Sequence, residues 1–119
     1  MNIEELRNYC MAKKGVSESF PFDDKALVFK VMNKMFCITN VENYTGFSAK
    51  CDPQRVIELR ERYPHGILPG WHLNKQHWNS VRVDEGVPED LLYELVDHSY
   101  NLIVGSLPKK VQKELAELT

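Results

Sequence analysis

Apolar positions along the chain alternate between helical and extended spacing. Ile3, Leu6, Tyr9 and Cys10 recur with helical period, and Asn2 followed by Glu5 has the layout of a capping box. A first helix is predicted, stopping near Gly15, with a loop containing Pro21 after it. Ala26 to Met32 and Met35 to Asn40, rich in Val, Phe, Leu and Ile, read as strands. Asn33 and Lys34 would join them as a tight hairpin, because Asn tolerates positive φ. Thr45 to Lys50 reads as a third strand. Asp52-Pro53 marks a helix start, the carboxylate accepting free amides and proline suiting the first turn. Val56, Ile57, Leu59 and Tyr63 supply its buried side, with Arg55, Glu58, Arg60, Glu61 and Arg62 solvated.

Pro64, Gly66, Pro69 and Gly70 then break the chain into a loop. Trp71 to Leu73 and His77 to Val83 read as two short strands, with Asn74-Lys75-Gln76 turning between them. After the turn Asp84-Glu85-Gly86, Pro88 opens a long helix with the stripe Leu91, Leu92, Leu95, Val96, Ser99, Leu102 and Ile103. Gly105 and Pro108 interrupt it, and Val111, Leu115 and Leu118 make a short last helix. The order α-β-β-β-α-β-β-α, with a small terminal helix added, predicts a two-layer α+β domain spanning residues 1–119. Its antiparallel sheet would carry helices on one face. The other face, partly open, is where a binding surface would lie.

Composition adds a soluble character: 43% hydrophobic and 27% charged residues are ordinary for a globular domain. No apolar run approaches a membrane span, and Met1 to Glu5 lacks the plan of a signal peptide, so the expected address is the cytoplasm. The net charge of −2 argues against a protein coated in nucleic acid, yet it hides an asymmetry. From Lys25 to Val83 there are nine Lys/Arg against four Asp/Glu, a local +5, whereas residues 1–24 carry −2 and residues 84–119 carry −5.

Candidate chemistry thins out on inspection. Cys10, Cys37 and Cys51 are widely spaced, which predicts reduced, buried thiols rather than a zinc site. His72 and His77 are five apart across a turn with no ligand nearby in sequence, so no metal and no cofactor are expected. Glu94 and His98, four apart on one helix, predict a local ion pair. Asp97-His98-Ser99 has the residue types of a hydrolase triad, but on one helix the three side chains diverge. Ser99, inside the apolar stripe, would bond back along its helix or let the sheet approach closely. No glycine pattern cradles a phosphate, and no nucleophile–base pair is legible, so no catalytic residue is assigned and the chain is read as a non-enzyme.

The segment from Pro69 to Val81 stands apart. It holds both tryptophans, two of the four histidines, two asparagines and a lysine, a mixture of flat rings and polar donors. In an extended His77–Val83, Trp78, Ser80 and Arg82 share one face and His77, Asn79, Val81 and Val83 the other. Two arrangements fit. Burial of Val81 and Val83 leaves Trp78 and Arg82 on the open face, where a ring beside a guanidinium can stack on a base or grip a phosphate. Alternatively Trp78 caps the edge of the core with Arg82 lying over it.

The chain resembles the MmcQ/YjbR family of small bacterial proteins. The resemblance rests on Ser19-Phe20-Pro21-Phe22, Leu27-Val28-Phe29-Lys30-Val31, Lys34-Met35-Phe36 and Lys50-Cys51-Asp52-Pro53. It continues through Pro69-Gly70-Trp71-His72-Leu73-Asn74-Lys75, His77-Trp78-Asn79 and Asp97-His98-Ser99-Tyr100, with Trp71 standing where the family pattern has tyrosine. The resemblance implies a two-layer α+β fold similar to CyaY (frataxin-like) and secretion-chaperone-like domains. It also implies a DNA-binding role in a double-wing arrangement, and no catalytic residues.

DNA binding is accordingly the first functional expectation, with Lys30, Lys34, Lys50, Lys75 and Arg82 as phosphate contacts and Trp71 and Trp78 as stacking groups. The second is a protein-interaction or adaptor module using the same aromatic, amide-rich face, self-association included. A small-molecule site built on His72, His77 and Asn79 is the third. A membrane is not among the expected partners, and the sequence sets no oligomeric state.

Overall fold

The computed structural model describes residues 1–70 and 72–119. Four helices and six strands are formed: α1 (Ile3–Met11), β1 (Val16–Ser19), β2 (Ala26–Val31), β3 (Lys34–Asn40), β4 (Gly46–Lys50), α2 (Pro53–Arg62), β5 (Ile67–Pro69), β6 (Trp78–Arg82), α3 (Glu89–Ser106) and α4 (Lys109–Ala116). The strands make one antiparallel sheet in the order β1-β2-β3-β4-β6-β5. Leu6 and Cys10 of α1, Val56 and Leu59 of α2, Leu92, Leu95, Val96 and Ile103 of α3 and Leu115 of α4 share a core with the inward residues of the sheet. The fold is thus the expected two-layer α+β arrangement.

Local rules set most boundaries. Asn2 and Glu5 close the capping box on α1, with bonds of 2.8 and 2.9 Å. Asp52 caps α2 by accepting the Gln54 amide at 3.0 Å, ahead of Pro53. The β2–β3 hairpin turns on Met32 and Asn33, with φ of 48° and 71°, one residue earlier than expected. Asn33 therefore occupies the second left-handed position, and Lys34 begins β3 opposite Val31.

Two strands escape the sequence pattern. Val16-Ser17-Glu18-Ser19 forms the edge strand β1, held by its ladder to β2 and carrying one aliphatic residue. Ile67-Leu68-Pro69, expected to be loop, forms the opposite edge β5 against β6; proline is tolerated there because an edge strand has one unpaired side. The expected strand Trp71–Leu73 is not formed by His72 and Leu73, and Trp71 lies outside the described residues. His77 belongs to the turn that precedes β6. On α2, Ile57 is 58% exposed rather than buried, because Val56, Leu59 and half-buried Tyr63 already define the inward stripe.

A bulge in β3 shapes the centre of the sheet. Phe29 pairs with Cys37 and Lys30 with Met35, so Phe36 has no partner in the ladder. Phe36 and Cys37 are consequently both buried on the helix side. At the far end of β4, Gly46 has φ 155°, and a Cβ there would stand 1.8 Å from the Val81 carbonyl oxygen, so only glycine fits.

Candidate functional site

Register converts the uncovered side of the sheet into ordered rows. Strand alternation puts Leu27, Phe29, Cys37, Phe47, Ala49, Asn79 and Val81 toward the helices, all buried. The opposite side carries a central row Ser19–Val28–Ile38–Ser48–Ser80–Leu68, in which Val28 is fully buried and Ile38, Ser48, Ser80 and Leu68 are half-buried. Ser48 and Ser80 join their hydroxyls across β4 and β6 at 2.9 Å. One end of the face carries Ser17, Lys30 and Met35 with the pair Lys50–Trp78; the other carries Ala26–Asn40 and Gly46–Arg82. A groove of about 470 Å³ runs over Ile38, Asn40, Ser48, Leu68, Ser80 and Arg82.

Three cations, Lys30, Lys50 and Arg82, occupy this face, and no carboxylate takes a strand position on it. Among the described residues none of the three is in an ion pair, whereas Arg7, Lys13, Lys25 and Arg55 are paired elsewhere. The acids of the chain lie mainly in the helix layer: Glu4 and Glu5 on α1 and Glu89, Asp90, Glu94 and Asp97 on α3. The helices also carry Arg7, Arg55, Arg60, Arg62, Lys109, Lys110 and Lys113, so what sets the open face apart is its lack of strand carboxylates.

The structure sorts the expected contact residues. Trp78 is half-buried and sits beside Lys50, its cross-strand neighbour. Arg82 shares the face but stands four residues farther along β6, roughly 13 Å away at the usual strand rise. The cation paired across the strands with Trp78 is therefore a lysine on β4, and Arg82 does not lie over Trp78. Lys34 points to the helix side, with Nζ 3.4 Å from Ser106 Oγ at the end of α3. Lys75 folds onto its own loop and donates to the Gly70 carbonyl at 3.3 Å. Trp71, the remaining stacking candidate, lies outside the described residues.

The tryptophan-rich loop is built from within. Asn74 accepts the Gln76 amide on its side chain at 2.9 Å, and its carbonyl accepts the Trp78 amide at 2.9 Å. Gly70 donates to the Trp78 carbonyl at 3.1 Å, an approach that leaves a Cβ at position 70 only 3.0 Å from that of Trp78. Arg60 of α2, expected in solvent, is half-buried and clamps this loop. Its Nε donates to Asn79 Oδ1 at 2.7 Å, and its terminal nitrogen reaches the carbonyls of Lys75 and Trp78. Asn79 is 2% exposed, so it holds the loop from inside and presents no amide to a ligand. Nothing local in the sequence marks Arg60; its reach across 15 to 19 residues is a tertiary fact.

Residues Asp97 to Tyr100 form a clasp on the covered side. The Tyr9 hydroxyl donates to Asp97 at 2.8 Å, and Lys13 pairs with the same carboxylate while standing 4.6 Å from the Tyr9 ring centroid. Burial and that bond push the Tyr9 phenol up to about 12. His98 Nε2 accepts the Asp52 amide at 3.1 Å, and Glu94 pairs with Arg55 of α2, so the local Glu94–His98 pair is not made. Burial, then Arg55, hold the imidazole below its usual range, favouring the neutral acceptor. Ser99 accepts the Lys50 amide at 2.9 Å and donates to the Phe36 carbonyl at 2.5 Å. Those two groups lie one step beyond the last β3–β4 pair, where the bulge parts the ladder, and the hydroxyl bridges them. Tyr100 donates to the Lys14 carbonyl at 2.6 Å and sets its ring edge-on to Phe36 at 5.4 Å. The three triad residue types thus reach α1, the start of α2 and the sheet.

Thiols and histidines form no converging set. Cys10 and Cys37 are fully buried, and burial, then the neighbouring Cys10, raises the Cys37 thiol. Among the described residues no three His, Cys, Asp or Glu side chains come together as a metal site would require. Nor is any helix formed by them long and apolar enough to cross a membrane.

Fold and site together define a small α+β protein with one helix-covered and one open, cationic sheet face. The YjbR family model matches residues 11–102, and the chain belongs to that family. It is 40% identical over 119 residues to the uncharacterized protein YjbR of Escherichia coli (strain K12), covering 99% of this chain and 100% of that one. It is also 40% identical to the uncharacterized protein YyaQ of Bacillus subtilis (strain 168), over 83% of this chain and 95% of the relative. The crystal structure of Deinococcus radiodurans protein DR2400, a DUF419 domain, superposes with a TM-score of 0.90 at 41% identity, covering 97% of this chain and 88% of that one.

Proposed function

We propose that the protein is a non-catalytic DNA-binding module whose contact surface is the open face of the sheet. One observation supports this reading: among the described residues Lys30, Lys50 and Arg82 form no ion pair, and no carboxylate takes a strand position beside them. Such a field attracts phosphates and releases their counterions. Ser48, Ser80 and Asn40 add neutral hydrogen-bonding groups between the cations.

The test is a titration of labelled duplex and single-stranded DNA at about 50 and about 200 mM salt, with wild type and a Lys30→Ala/Lys50→Ala/Arg82→Ala variant. Wild type binds at low salt, and the variant binds more weakly with a shallower salt slope, by up to about 0.9 per lost contact on duplex or about 0.7 on a single strand. Absence of binding at low salt, or equal binding by the variant, overturns the proposal.

A second reading, a protein-interaction module, draws on Phe20 and Phe22, which are 48% and 72% exposed on either side of Pro21 in the β1–β2 connection. Two large rings in solvent, next to the end of the groove lined by Ala26 and Asn40, suit a protein partner or a second copy. Sedimentation of wild type and a Phe20→Ser/Phe22→Ser variant addresses the second copy: a concentration-dependent dimer lost in the variant supports it, and a monomer throughout removes it.

A further inference from the structure

Resting on the DNA-binding reading above, we infer that the nucleic acid this face takes is single-stranded, with a base stacked on Trp78 and its phosphates held by Lys50 and Lys30.

Shape is the first reason. Six strands at about 4.8 Å spacing make a face roughly 24 Å across. The major groove of a duplex is about 12 Å wide and admits one helix or a two-stranded ribbon. A sheet this wide does not enter the major groove as a ribbon does. An unpaired strand lies flat on such a surface.

The second reason is the placement of the ring. Trp78 is half-buried at the start of β6, with Gly70 close to its Cβ and its backbone held by Arg60 and Asn74. A flat ring offered from a sheet recognises the face of a base. In a duplex that face is already covered by the neighbouring base pair; in a single strand it is free. Lys50 stands opposite Trp78 on β4, and Lys30 is on the same row two strands farther on. The Cβ atoms of Lys50 and Trp78 therefore stand about 5 Å apart, and Lys30 follows beyond Met35.

The third reason is what lies between the charged ends. Ser48, Ser80 and Leu68 floor the groove from the Trp78 row toward Arg82, with no charge of either sign. Small hydroxyl groups leave room for sugars and bases while the cations engage the backbone at each end. The same distribution disfavours a twofold pairing of two copies through this face, since it would lay two faces with cations and no strand carboxylates against each other.

Anisotropy of a labelled oligothymidylate of about 12 nucleotides, against a duplex of the same length, tests the inference on the full chain. Wild type is expected to bind the single strand more tightly than the duplex. Trp78→Ala should weaken single-strand binding roughly tenfold while leaving duplex binding unchanged, and Trp78→Phe should retain most of it because a ring remains. Lys50→Ala, on a strand whose fold does not depend on that side chain, should reduce the single-strand salt slope by about 0.7. If Trp78→Ala does not fold, Trp78→Phe and Lys50→Ala still decide the matter. Duplex binding equal to or tighter than single-strand binding, or a Lys50→Ala slope unchanged from wild type, overturns the inference and leaves the DNA-binding reading standing. Binding to neither DNA at low salt removes both.

Discussion

On the covered side of the sheet, polar groups are spent on joining elements. Ser99 bridges the Phe36 carbonyl and the Lys50 amide, His98 accepts from Asp52, and Arg60 holds Asn79 and the Trp78 carbonyl. On the open side the same strands present the side chains of Lys30, Lys50 and Arg82, which form no ion pair among the described residues. Residues 97–100, one stretch of the family pattern, thus work as fasteners between α3, α1, α2 and the sheet. Other stretches of the pattern supply Lys30, Lys50 and Trp78 to the open face. Motifs that identify a family can thus mark its architecture and a surface left over from it alike.

Substitutions on the two sides should therefore separate stability from binding. The largest effect is expected for Phe36→Ala, which empties a fully buried ring site beneath the β3 bulge and should cost about 3–5 kcal/mol in urea unfolding. A loss near that of an exposed-site change would mean that the bulge does not aim Phe36 into the helix layer. Ser99→Ala comes next, at about 2–3 kcal/mol, because it strands a buried carbonyl and an amide that the sheet does not pair. A neutral result would show that the β3–β4 ladder closes without the hydroxyl.

His98 offers a pH handle on the same side. Its imidazole titrates below 6.5 in the folded protein, through burial and Arg55, with Glu94 and Asp52 acting in the opposite direction. The native state then binds fewer protons than the unfolded chain. Its contribution is full above pH 6.5 and is lost as pH falls through the lowered folded value. His98→Ala should cost about 1 kcal/mol near pH 7.5 and flatten the decline of Tm with acidification below pH 6.5. Parallel acid limbs for variant and wild type would contradict this.

The smallest stability effect belongs to the open face. Lys30→Ala, Lys50→Ala and Arg82→Ala should each stay within about 0.5 kcal/mol of wild type. Any larger loss would mean these side chains fasten the fold, and the contrast between the two faces would fail.

Much of this architecture is legible in the sequence wherever local physics suffices. The capping box at Asn2, the Asp52-Pro53 start and the apolar stripe of α3 all follow from spacing and from groups that the nearby backbone satisfies. Alternation in β6 also separates Trp78, Ser80 and Arg82 from Asn79 and Val81. Legibility ends where a strand owes its existence to a neighbour. Val16–Ser19 has one aliphatic residue and Ile67–Pro69 is only three residues long and ends in proline, and each is ordered by the ladder it completes.

For the candidate site the division is sharper. The sequence by itself determined which residue types were on hand: the tryptophans, the lysines, Arg82 and the cationic middle of the chain. Tertiary structure alone decided their company. Strand order brought Lys50 of β4 beside Trp78 of β6, turned Lys34 to the helix side, and set Arg60 as the clamp of a loop 15 residues away. The physical reason is that hydrogen-bond register between strands and packing between layers relate residues far apart in the chain, and local spacing contains no information about that distance.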